Sequence, residues 1–171
     1  MRQEFFTLEL VTNGQKLYEF TENTLHWIND LNLNNGLLNL SIQHTSASLI
    51  VQENADPDVR IDLKNYFNKL VPMDENLYIH KSEGKDDMPA HIKSALTNNQ
   101  ISLSIKDKKL LLGTWQGLYL FEHRTSTVSY THLRAHETEA DLVCRLLLEK
   151  KLIPKIMMYY FSFMFTCSVF K

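Results

Sequence analysis

The chain has 171 residues, 44% hydrophobic and 22% charged, which suits a globular protein of one ordinary domain. A formal charge of −2 supplies no electrostatic footprint for nucleic acid or an anionic membrane, so neither is expected as a partner. Glu4 and Glu9 interrupt what would have to be the apolar core of a secretion signal, and both cysteines, Cys144 and Cys167, fall in the tail. A disulfide framework in the main domain is therefore excluded, and a reducing cytoplasm is the expected compartment.

In chain order, residues 3–11 alternate loosely and predict a strand, and Asn13-Gly14 marks a turn into a short second strand at 16–20. Thr21 is the expected N-cap of a helix to about Leu31, with Leu25, Trp27, Ile28 and Leu31 as its apolar stripe. After Asn34-Asn35-Gly36 comes a strand with Leu38, Leu40, Ile42 and His44 on one face, and extended chain continues at 49–53. Asp56 as cap and Pro57 at the first helical position open a helix carrying Val59, Leu63, Tyr66, Phe67 and Leu70, which Pro72 ends. A short strand is expected at 77–79, a helix from about Asp87 to Leu96, and strands at 101–105, 109–112 and 115–123. Strands and helices mix without a βαβ rhythm, which predicts an α+β fold with a mainly antiparallel sheet.

The chain changes character near residue 126, and two domains of description follow: a main domain over 1–126 and a tail over 127–171, expected to be disordered or weakly helical. After Gly117 there is no further glycine. The stretches SYTHLRAHET and LVCRLLLEKK, between Val128 and Lys151, resemble the conceptual translation of a sequencing-library adaptor, which implies a non-native tail. His132 and His136, at i,i+4, would be incidental in such a peptide rather than metal ligands. The apolar run from Ile156 to Phe170 has 15 residues, short of the roughly 20 needed to span a bilayer.

The candidate chemistry lies in three histidines at the ends of regular elements: His44 in SIQHTSAS, His80 in YIHKSEGKDD and His91 in MPAHIK. Glu53, Asp56, Asp58, Glu83, Asp86 and Asp87 fall in the same segments. Neutral imidazoles suit zinc-like ions, and carboxylates complete such a site or hold magnesium through water. Against this, a histidine ending a buried strand is commonly a core residue, and Asp56 and Asp87 would serve as helix caps. The stretch 113–122 places Trp115, Gly117, Tyr119 and Phe121 on one face and Gln116, Leu118, Leu120 and Glu122 on the other. Gln116 and Glu122 point to a polar pocket or subunit contact, or else to an ordinary edge strand. There is no GxGxxG, P-loop or GxSxG signature, and Ser46 and Ser48 near His44 do not make a hydrolase dyad by spacing alone.

Three blocks, QHTSASLIVQENADPDVRIDL, H-x-x-E-x-x-DDMPAHIKSAL and LLGTWQGLYLFEHR, resemble in order and separation those of the YjbQ-type family, also called secondary thiamine-phosphate synthases. The resemblance covers about Phe5 to Arg124. It implies a compact α+β, β-sandwich-like fold with two or three helices, assembled as a cytoplasmic homotrimer. Its motif residues are His44, Ser46, Glu53, Asn54, His80, Asp86, Asp87, His91, Trp115, Gln116 and Glu122. Of these, His44, His80 and His91 are expected to hold a divalent metal, zinc or magnesium. Glu53, Asp87, Gln116 and Glu122 are expected to act in catalysis, and Ser46, Asn54, Asp86 and Trp115 to bind a small phosphorylated substrate. The implied reaction joins a pyrimidine pyrophosphate to a thiazole phosphate. The alternatives are a trimeric, non-catalytic binder of a phosphorylated metabolite and a metal-dependent phosphate-ester hydrolase. Relatives continue past E-[HFY]-R into a final β-branched strand that is missing here, so the strand neighbouring it is expected to carry unpaired backbone groups, with weaker folding and trimerisation.

Overall fold

A computed structural model describes residues 4–125, together with strand segments at 131–136, 145–150 and 166–169. The elements are β1 (Lys16–Glu19), α1 (Thr21–Asp30), β2 (Gly36–Ser41), β3 (Ala47–Glu53), α2 (Pro57–Leu70), α3 (Asp87–Leu96), β4 (Gln100–Lys106), β5 (Lys109–Leu110), β6 (Gln116–Glu122), β7 (Thr131–His136), β8 (Arg145–Lys150) and β9 (Thr166–Val169). All strand pairs are antiparallel, in sheets ordered β1-β6-β3, β5-β4-β2-β9 and β7-β8.

The first two sheets face each other as a sandwich, because period-2 patterning gives each one apolar side. Leu49, Leu118 and Leu120 of one sheet meet Leu38, Leu40, Ile105 and Leu110 of the other, and Ile28 of α1 joins the same core. The opposite side of the first sheet carries Leu17, Tyr119 and Phe121, against which α2 lays Leu63 and Phe67. The α+β sandwich with three helices is the fold expected from the sequence.

Several local expectations are corrected. Residues 4–12 form no continuous strand, only single bridges at Thr7 and Leu10: β1 already occupies one edge of β6 and β3 the other, and Phe6 stacks on Trp27 at 5.2 Å. Thr21 is not the cap of α1 but its first residue, and its hydroxyl bonds Glu19 and accepts from the Leu118 N–H. Residues 77–79 are not a strand. The Asp74 side chain accepts from the Asn76 N–H at 2.9 Å, and that local bond turns Glu75–Leu77 into a 3-10 helix. The segment 115–123 is not an edge: β6 is the central strand of its sheet, flanked by β3 along Gln116–Glu122 and by β1 along Tyr119–Glu122. The second edge of β2 is the one that meets the tail, through β9. His132 and His136 lie on strand β7, where helical i,i+4 spacing does not apply. Most of the apolar run 156–170 lies outside the described residues. Among the described residues, no helix is long and apolar enough to cross a membrane.

Candidate functional site

The site is assembled from the start of α3, the loop before it and the end of β6. Asp87 and His91 are one helical turn apart on α3, so they share a face. The loop before α3 returns His80 to the same point, with its Nε2 2.8 Å from Asp87 Oδ2; His91 Nε2 is 3.3 Å from that oxygen. The two rings are 5.9 Å apart, and one donor atom from each of His80, Asp87 and His91 lies within 4.8 Å of the others. Asp87 is 1% exposed and both histidines are open to solvent on one side, so the group ends in a wall and opens outward.

The hydrogen bonds behind these donors decide what the group can do. His91 Nδ1 is 2.9 Å from the Thr45 carbonyl oxygen, which can only accept, so Nδ1 carries a proton. In a neutral ring Nε2 is then a lone pair aimed at Asp87 Oδ2. Two acceptors at 3.3 Å need a proton or a cation between them. A histidine oriented through its second nitrogen by a backbone carbonyl, beside a carboxylate and another imidazole, is the donor set of a three-ligand cation site. The residues fit such an ion.

Asp87 is thus no helix cap. The cap position is Asp86, whose carboxylate does not bond the helix either. Its Oδ2 accepts from the Thr125 N–H and hydroxyl at 2.8 and 3.0 Å and from Arg124 Nε at 3.2 Å. Burial alone would raise the Asp86 carboxyl, but these bonds and the Arg124 charge hold it below its ordinary value. Asp56, by contrast, does cap its helix, accepting from the Asp58 N–H at 2.8 Å.

The other expected site residues separate into those near this centre and those far from it. His44 lies in the segment that holds His91 but is not in the three-donor group; its Nδ1 accepts from the Ser46 N–H at 2.9 Å. Ser46 is buried, and its carbonyl accepts from the His123 N–H. Glu122 is buried next to the Arg124 backbone, accepting from the Arg124 N–H and the Thr12 hydroxyl. Burial pushes its carboxyl up to about 7. Glu53, Asn54, Trp115 and Gln116 sit at the opposite end of the β3–β6 pair, where Glu53 faces Gln116 in a register that sets Ala47 against Glu122. Six residue steps separate the ends by about 20 Å. Within one chain these four do not join the histidines. The Gln116 side chain closes the turn at Gly113, Asn54 reaches Glu19, and Trp115 is 62% exposed.

Sequence reasoning missed Arg124, the Thr45 carbonyl and a buried polar layer beneath α3. Arg124 closes the last family block, yet nothing in its spacing signals a contact to residues 37 positions earlier. In the buried layer Ser48 Oγ is 2.9 Å from His123 Nε2, and Lys93 donates to Asn68 at 2.6 Å. Burial lowers His123 to about 3 and Lys93 to about 8, with the Lys93 charge adding to the His123 shift. Ser48, Lys93 and His123 are closed to solvent and are no nucleophile site.

The family described as "UPF0047 protein YjbQ-like" matches residues 6–135. The UPF0047 protein of Synechocystis is 47% identical over 123 residues, covering 72% of this chain and 84% of that protein. The YjbQ protein of Escherichia coli O157:H7 is 43% identical over 119 residues, covering 69% and 86%. A crystal structure of an uncharacterized conserved YjbQ/UPF0047 protein from Clostridium acetobutylicum aligns with a TM-score of 0.62 at 30% identity, covering 71% of this chain and 90% of that one. With a sandwich that superimposes on that structure and a match running from before β1 to beyond Arg124, this chain belongs to the YjbQ-like UPF0047 family.

Proposed function

We propose that this chain is a metal-assisted enzyme acting on a small phosphorylated substrate, with His80, Asp87 and His91 as the cation ligands. The observation that carries the reading is the His91 hydrogen bond: its Nδ1 proton is committed to Thr45, so in the neutral ring Nε2 is the lone pair that converges with a carboxylate oxygen and a second imidazole. Three protein ligands at a solvent-open point suit a catalytic site rather than a closed structural one. The resemblance to secondary thiamine-phosphate synthases supplies the candidate reaction. A thiazole ring nitrogen attacks the pyrimidine methylene, a C–N bond forms, the C–O bond breaks and pyrophosphate leaves with the electron pair. A bound divalent cation supplies charge neutralisation for such a leaving group. His80 edges a groove of about 730 Å³ lined by Leu77, Tyr78, Ile79, Lys81, Ser82 and Met88, which offers an apolar wall and a cation for a phosphorylated ring compound.

Glu53, Asn54, Trp115 and Gln116 enter the proposal only through the homotrimer. At the far end of β3 and β6, with Trp115 and Gln116 exposed and Glu53 and Asn54 half-buried, they could line a neighbouring copy's substrate pocket, with a binding role for Trp115 and Asn54 and a catalytic one for Glu53 and Gln116.

Metal analysis of chelator-free protein tests the core of the reading. About one divalent cation per chain is expected, lost in the His80→Ala, His91→Ala double variant, together with any formation of thiamine phosphate from the two precursors. A metal-free protein that binds phosphorylated metabolites equally well with and without those histidines would favour the non-catalytic binder instead.

A further inference from the structure

We propose that Arg124 is the positioning residue of the cation site and selects its class of ion. By holding one oxygen of Asp87 it leaves a single carboxylate oxygen for two imidazoles, a donor set suited to zinc-like ions over magnesium or calcium. The inference rests on the cation-site reading above.

Arg124 is buried, at 5% exposure, and each nitrogen of its guanidinium donates to one short stretch of chain. Nη1 donates to Asp87 Oδ1, Nε donates to Asp86 Oδ2 at 3.2 Å, and Nη2 donates to the Glu83 carbonyl at 2.7 Å. A planar fork thus grips three points of the loop whose two ends supply His80 and Asp87. Oδ1 is committed to this fork, so the carboxylate cannot rotate without breaking a buried charged bond. Oδ2 is consequently aimed at both imidazoles, at 2.8 and 3.3 Å. Calcium takes six or more oxygens and magnesium demands an oxygen octahedron, whereas two nitrogens and one oxygen suit zinc and its neighbours. Lysine carries the charge but not the fork, so it cannot hold all three points. Loss of a partner behind a metal ligand typically costs about 10–100-fold in affinity.

Zinc and magnesium titrations of the metal-free full chain, wild type against Arg124→Lys and Arg124→Met, test this together with metal-free crystal structures of wild type and Arg124→Met. Wild type is expected to bind zinc well above magnesium. Both variants are expected to lose about 10–100-fold in zinc affinity while the zinc-to-magnesium ratio narrows, because Asp87 gains its second oxygen. In metal-free Arg124→Met, Asp87 Oδ2 is expected to leave at least one imidazole. The inference is overturned if folded variants keep wild-type zinc affinity, or if Asp87 stays in place in Arg124→Met. An equal loss for both ions marks a merely structural role and overturns the selection claim. If wild type takes up no zinc, the cation reading falls by itself, and the position of Asp87 in Arg124→Met then decides the positioning claim. Should Arg124→Met fail to fold, the lysine variant carries both measurements.

Discussion

Glu122 and His123 are adjacent in sequence and both buried, and burial neutralises both, with opposite consequences for pH. The Glu122 carboxyl rises from 4.5 to about 7, so between these values the folded chain holds a proton that the unfolded chain has released. Its contribution is complete below pH 4.5 and is lost as pH rises through about 7. His123 falls from 6.5 to about 3, so the unfolded chain binds the extra proton and stability declines as pH drops below 6.5. Stability from this pair is therefore greatest in mildly acidic solution. Glutamine at position 122 can accept from the Arg124 N–H and donate to Thr12 without a buried charge. Glu122→Gln is expected to stabilise the fold at pH 8 by on the order of 1–3 kcal/mol, with the gain shrinking toward pH 5. Denaturant unfolding at both pH values checks this; a gain independent of pH would dismiss the buried charge as its cause. None of this was visible in the sequence, where Glu122 reads as a polar residue on a strand and burial depends on what packs above it.

At the scale of elements, local signals were legible and distant ones were not. Asp56 and Pro57 marked the start of α2 to the residue, since a cap bond and a fixed φ are decided within one turn. Asp87 to Leu96 was likewise legible, but the Asp87–His91 pair that makes two of the three cation ligands was not read from it, since Asp87 was expected in catalysis and His44 in its place. The alternation along β6 was correct, yet its central place was not foreseeable, because β1 pairs with it from about a hundred residues away. The return of His80 was only half legible, for the loop is shaped by Arg124 and by Gly84, whose φ of +105° favours glycine. A Cβ there would lie 3.4 Å from Asp86 Oδ1 and 4.0 Å from Arg124 Nη2. Gly84→Ala is expected to cost about 1 kcal/mol or more through the backbone alone. By shifting the loop it should weaken zinc binding more than the same loss of stability imposed at Asp56→Ala, a cap far along the chain from the site. Calorimetric titration of the two variants checks the difference; equal zinc affinities would detach the loop from the site.

At the scale of the whole molecule, the three cation ligands and the backbone and side-chain groups that orient them all lie between Thr45 and Thr125, upstream of the adaptor-like tail. We propose that the tail is no part of the working protein. Its main described contacts with the sandwich are at β2, beside which β8 lies and along whose second edge β9 pairs from Leu38↔Val169 to Ser41↔Thr166. That edge is on the sheet that does not carry the site: β3 and β6, which frame Thr45 and Arg124, belong to the other. A chain ending after Ser126 should therefore keep zinc stoichiometry and affinity within a few-fold. It should also associate more readily, because an uncovered strand edge presents free donors and acceptors to any other chain. Zinc titration together with light scattering separates the two effects. Loss of zinc binding in a folded, monodisperse truncated chain would mean that the tail supports the site, and its reading as a non-native appendage would be wrong.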